Sequence, residues 1–127
     1  MARELPPQYL QAMRAQLKHL HSPDVDLREY RPAEVDNFSF LLQAMIGPEG
    51  TDASESFDIV VCTPKWLSSS RNDPLWGRHM MIVLNYDLGK IRQIISSYCS
   101  SCVGNDWQSI ASLLSRIGKW EFEDYRK

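Results

Sequence analysis

Two apolar runs with a period of two set the frame of this chain. Phe38, Phe40, Leu42, Ala44 and Ile46 fall on one face of a strand, and Phe57, Ile59 and Val61 repeat the pattern. Between them, Gly47-Pro48-Glu49-Gly50 is a turn-forming stop. The two runs therefore predict an antiparallel hairpin with an acidic loop at its tip. Leu41 and Met45 lie on the opposite face of the first run, so both faces of the sheet expect partial cover. A strand pair with one strongly apolar face is stable only when other elements bury that face.

The rest of the chain supplies those elements. Tyr9, Leu10, Met13, Leu17 and Leu20 have helical spacing, yet Arg14 to Leu20 reads equally as a strand ahead of the Ser22-Pro23 break. Residues 21–37 read as loop. Thr63-Pro64 starts a helix of one or two turns, with a hydroxyl cap followed by proline at the first position. A loop over 68–74 leads to a third apolar strand from His79 to Asn85, and Asp87 caps the next helix. Its stripe is Ile91, Ile94, Ile95, Tyr98, Cys99 and Cys102. Gly104 ends that helix, and Asn105 with Gln108 resembles a capping box for a second. Trp107, Ile110, Ala111, Leu114 and Ile117 share its inner side. Trp120 and Phe122 then point inward from a last strand.

Strands early and helices late is the α+β pattern. The expectation is an antiparallel sheet of about five strands with two main helices packed on one face. A chain of 127 residues, 43% hydrophobic and 24% charged, fits one domain with its own core. That domain is expected over 1–127, with 1–13 as an N-terminal appendage. The start, Met1-Ala-Arg-Glu-Leu-Pro-Pro, lacks an apolar signal core, and no apolar run approaches membrane-spanning length. With three cysteines, an odd number, the chain is expected to be cytoplasmic with free thiols.

The net charge of −2 argues against a general nucleic-acid binder. Its distribution is uneven. From Ser22 to Asp58 nine acids (Asp24, Asp26, Glu29, Glu34, Asp36, Glu49, Asp52, Glu55 and Asp58) face only Arg28 and Arg31, a balance of −7. The plain reading is solvated acidic loops. The sharper one is a surface complementary to a basic partner, which speeds association by steering.

Chemically suggestive residues are few. Cys99-Ser-Ser-Cys102 has the spacing of a redox pair or half a zinc site, but it falls at the C-terminal end of a helix, where the dipole opposes a thiolate. Core packing is the preferred reading, and no metal or other cofactor is expected. His79 beside a carboxylate fits a general base, with no nucleophile or oxyanion donor identifiable beside it. Trp66, Trp107 and Trp120 read as core. Trp76, in a loop after Pro74-Leu75, fits an interface anchor as readily as not, and Tyr30 is similarly open.

Taken together, five blocks resemble a known family. They are Glu55-Ser-Phe-Asp-Ile-Val-Val-Cys-Thr-Pro-Lys-Trp-Leu67, Arg116-Ile-Gly-Lys-Trp-Glu-Phe-Glu-Asp-Tyr125, His21-Ser-Pro-Asp24, Ile46-Gly-Pro-Glu-Gly50 and Gly77-Arg-His79. From about Leu17 to Tyr125 the chain is similar to the bacterial immunity protein 8 family. The resemblance implies a non-enzymatic antidote that binds the C-terminal domain of a cognate polymorphic or contact-delivered toxin. Many such toxins are nucleases, whose phosphate-holding surfaces are basic. The candidate partner-binding residues are Asp24, Asp26, Glu29, Glu34, Asp36, Glu49, Asp52 and Trp76. An antidote that binds beside the toxin's active site would instead use Trp76, Leu75 and the 68–74 loop. A regulatory or scaffold domain with another partner is the alternative, followed by a small enzyme using His79 or Cys99 and Cys102.

Overall fold

The computed structural model describes residues 12–70 and 73–123. The hairpin forms as expected. Strand β2 (Ser39–Pro48) pairs antiparallel with β3 (Glu55–Cys62), from Ser39 opposite Cys62 to Ile46 opposite Glu55. The strand runs on through Gly47 and Pro48 before turning at Gly50, which takes φ +83°. Gly47 has a steric reason: a Cβ there would lie 1.8 Å from the Ala53 carbonyl oxygen across the hairpin.

Strand β1 (Met13–His21) pairs antiparallel with β2, which resolves the helix-or-strand ambiguity of this segment. Its register shifts between Leu17 and His19, so Lys18 is absorbed in a bulge. The bulge keeps Ala15, Leu17 and Leu20 over the apolar face while His19 and His21 oppose Met45 and Gln43 on the other. Met13, assigned to an appendage in sequence, is the first residue of β1 and pairs with Gly104. Tyr9 and Leu10, the start of the helical spacing, lie outside the described residues.

Helix α1 (Pro64–Ser70) starts where Thr63-Pro64 predicts. The buried Thr63 hydroxyl accepts from Trp66 N–H at 3.2 Å and from Phe38 N–H at 3.3 Å, so one side chain caps the helix and pins the start of β2. Strand β4 (Met80–Ile82) corrects two expectations. It is shorter than the apolar run from His79 to Asn85, and it is parallel to β3, with Val60, Val61 and Cys62 opposite Met80, Met81 and Ile82. The sheet is therefore mixed. The α1 crossover returns the chain to the same end of β3 before β4 begins, and a parallel neighbour follows.

Helix α2 (Leu88–Ser101) is capped by Asp87, which accepts from Lys90 N–H at 3.1 Å. Its buried stripe is Ile91, Ile95 and Cys99, and Ile94 faces outward. Cys102 closes the helix, and Gly104 belongs instead to strand β5 (Val103–Gly104). Helix α3 (Trp107–Leu114) is capped by Asp106, accepting from Ser109 N–H at 2.8 Å, one residue later than the capping box suggests. Strand β6 (Lys119–Trp120) pairs with Phe57 and Asp58 of β3. Trp120 stacks on Phe57 at 6.4 Å and its indole N–H donates to Glu55, whereas Phe122 lies past the strand and is exposed.

The sheet order is β4-β3-β2-β1-β5, with β6 beside the first half of β3. One face carries the core. Phe40, Leu42, Ala44 and Ile46, with Phe57, Ile59 and Val61, pack against Ile91, Ile95, Cys99, Ile110, Ala111 and Leu114 of the two main helices. The class is α+β, as the order of elements implies. No helix among the described residues is long and apolar enough to cross a membrane.

Candidate functional site

The acidic segment does not make one surface. Asp24, Asp26, Glu29, Glu34 and Asp36 belong to the loop between β1 and β2, at the start of β2. Glu49 and Asp52 belong to the β2–β3 turn at its end. The ten residues of β2 separate the two groups by about 30 Å at strand rise.

The 22–37 loop is built rather than loose. Ser22 Oγ accepts from Asp24 N–H and Val25 N–H at 3.1 and 3.3 Å. Beyond the last β1–β2 pair, Asp24 Oδ2 accepts from Leu41 N–H at 2.8 Å and so extends the β1 side of β2 with a carboxylate. Asp24 is thus a structural residue of the loop as well as a charge. Asp26 binds Arg28 through an ion pair at 3.3 Å, and the Arg28 guanidinium and N–H hold its carboxyl below the usual range. Tyr30 carries the loop into the core. Its ring meets Tyr86 edge-on at 5.0 Å, Phe40 at 5.4 Å and Phe38 at 6.3 Å. Burial pushes the hydroxyls of Tyr30 and Tyr86 up. Tyr30 is an anchor of the acidic loop, which settles its ambiguity in sequence.

Across the loop, Lys65 of α1 stands 3.9 Å from Glu34 and 3.7 Å from Asp36. One exposed cation between two carboxylates leaves the loop acidic, since each such contact is weak in water. Glu29 is exposed on the same loop.

Trp76 lies elsewhere. It is 91% exposed, in the segment between α1 and β4, with Leu75 also exposed. Ile82 at 57% and Leu84 at 75% continue the apolar surface along β4. A groove of about 500 Å³ separates this strip from α1, lined by Pro64, Leu67, Leu75, Met80 and Ile82 among others. The strip and the acidic loop are neighbours: α1 lines the groove and contacts the loop through Lys65, and Tyr86 N–H donates to the Val35 carbonyl at 2.9 Å. Sequence reading missed Ile82 and Leu84, because an apolar run looks the same in a central strand and at an edge.

The alternative chemistry fares differently. His79 takes φ +59°, in the left-handed region that non-glycine residues rarely occupy. Its carbonyl accepts from Val60 N–H, and its Nε2 lies 2.7 Å from the Ser115 carbonyl, to which it donates. Both contacts fix the entry to β4. Arg78 pairs with Glu123 at 3.2 Å. Cys62, Cys99 and Cys102 are buried free thiols, and burial pushes Cys99 up to about 12, the reverse of an activated thiolate. Among the described residues, no group of three His, Cys, Asp or Glu side chains is arranged to hold a metal ion.

A family model described as Immunity protein 8 matches residues 15–125, in agreement with the span of the resemblance read from the sequence blocks. No curated protein and no solved structure matches the chain.

Proposed function

The chain belongs to the Immunity protein 8 family, and from that premise we propose that it binds a cognate toxin domain in the cytoplasm and blocks that domain's activity without catalysis of its own. The observation that carries this reading is the family match across residues 15–125, which spans every strand and helix of the described fold but the first two residues of β1. The toxin is the C-terminal domain of a polymorphic or contact-delivered protein, and a nuclease suits the charge of the antidote best. Asp26, Glu29, Glu34 and Asp36, held out on a loop anchored by Tyr30, present carboxylates to a basic phosphate-binding groove. Trp76 contributes an apolar contact on the adjoining strip, and Glu49 and Asp52, at the far end of the sheet, lie outside the contact.

The test is co-purification with the C-terminal domain encoded immediately upstream, followed by size-exclusion chromatography and a nuclease assay. A stoichiometric complex without nuclease activity supports the reading. Separate elution at micromolar concentration overturns it for that partner.

A further inference from the structure

Among the described residues, strand β4 ends the sheet with an open edge. The contacts with β3 run through alternate residues: the His79 carbonyl accepts from Val60 N–H, and Val83 N–H donates to the Cys62 carbonyl. By that alternation the N–H and C=O groups of Met80 and Ile82 point away from the sheet. Among the described residues neither pair has a hydrogen-bond partner. Proteins usually blunt such edges with short strands, charge, proline or a bulge. On the other side β5 covers only Met13 and Arg14, and the rest of β1 carries a bulge at Lys18 and the polar residues Gln16, His19 and His21. The β4 edge has only its three-residue length. From Met80 to Leu84 it has no charged residue, and the exposed Trp76, Ile82 and Leu84 rise beside the groove against α1.

We propose that this edge is a docking site for an extended, uncharged apolar segment of the toxin domain, which adds to the sheet as a strand beside β4. The proposal rests on the antidote reading above and deepens it. Two independent features select the same occupant. Free backbone groups at Met80 and Ile82 match the spacing of another strand's backbone. The groove lined by Leu67, Leu75 and Ile82 takes its alternate side chains. Charge selects the segment's chemistry. The edge from Met80 to Leu84 bears no charge, Arg78 is paired with Glu123 at 3.2 Å, and Asp73 is the one charged residue among those lining the groove, so an acidic segment is repelled there and the apolar strip offers a basic one no partner along β4. The edge is continuous with the acidic loop through Tyr86 and Val35, so one toxin surface reaches both.

Ile82→Pro tests this directly. Its N–H faces outward, so proline removes a free donor and crowds the edge while the bonds made to β3 by its neighbours stay. Binding of the upstream C-terminal domain should weaken on the order of tenfold or more, with the melting temperature of the free protein nearly unchanged. Ile82→Lys, which keeps the donor but adds a charge, should weaken binding similarly. Amide exchange in the wild-type complex provides a readout independent of variants: Met80 and Ile82 should become protected on binding, whereas Met81 and Val83 are protected in both states. Tight binding by wild type with Met80 and Ile82 still exchanging freely overturns strand addition and leaves the antidote reading intact. Self-association of the free wild type that Ile82→Pro abolishes assigns the edge to a second copy and overturns it too. Failure of wild type to bind removes both readings together.

Discussion

Tyr30→Ala should detach the acidic loop without altering a single charge. Tyr30 is half-buried and makes edge-on contacts with Phe38, Phe40 and Tyr86, two of them with centroids within 5.4 Å. A fully buried aromatic removes roughly 150–250 Å² from water, so half of that at about 25 cal/mol per Å² is worth about 2–3 kcal/mol. Aromatic geometry adds about 0.5–1.5 kcal/mol. The expected loss is therefore about 3 kcal/mol, large against a typical total stability of about 5–15 kcal/mol but short of unfolding most domains. Urea denaturation followed by tryptophan fluorescence measures it, with a midpoint lower by about 1–2 M. Tyr30→Phe keeps the ring and should lose about 1 kcal/mol or less. Toxin binding should follow stability of the loop, falling in Tyr30→Ala and holding in Tyr30→Phe. A loss below about 1 kcal/mol in Tyr30→Ala, or equal losses in the two variants, would refute the anchor.

Three further outcomes are expected. Glu29→Lys with Glu34→Lys should slow association by about tenfold at low salt and flatten its salt dependence, whereas Glu49→Lys with Asp52→Lys should leave both unchanged; stopped-flow mixing with the toxin domain measures each. Cys99 is protonated in the fold up to about 12 but ionises from about 9 when unfolded, so its contribution is complete below pH 9 and stability falls as pH rises above it. The urea midpoint should therefore drop from pH 8 to pH 10 in wild type and drop less in Cys99→Ala. Gly47→Ala should cost at least about 2 kcal/mol, because its Cβ overlaps the Ala53 carbonyl and backbone must move; Gly50→Ala, with open space around it, should cost only about 1 kcal/mol for its positive φ.

The central hairpin was legible in the sequence, because the period of two from Phe38 to Ile46 and from Phe57 to Val61 puts Phe40, Leu42, Ile46, Phe57, Ile59 and Val61 on one face, and a one-residue slip would turn that set to the other. The sequence by itself determined the caps at Thr63 and Asp87, whose side chains act on N–H groups three residues away, and the burial of Ile91, Ile95 and Cys99 from helical spacing. It also carried the family, through blocks that are short one at a time and specific together. What it left open depends on neighbours distant in the chain. The direction of β4 follows from where the α1 crossover returns the chain, and no residue from Met80 to Ile82 encodes that. The bulge at Lys18 arises from matching β1 to β2 and is invisible in β1 alone. The acidic segment reads as one block, yet the length of β2 splits it between the two ends of the sheet, and which carboxylates stand together follows from that folding. The same holds for Ile82 and Leu84. Hydrophobicity marks them for burial, and only the sheet order, which leaves β4 at the rim, turns them into surface.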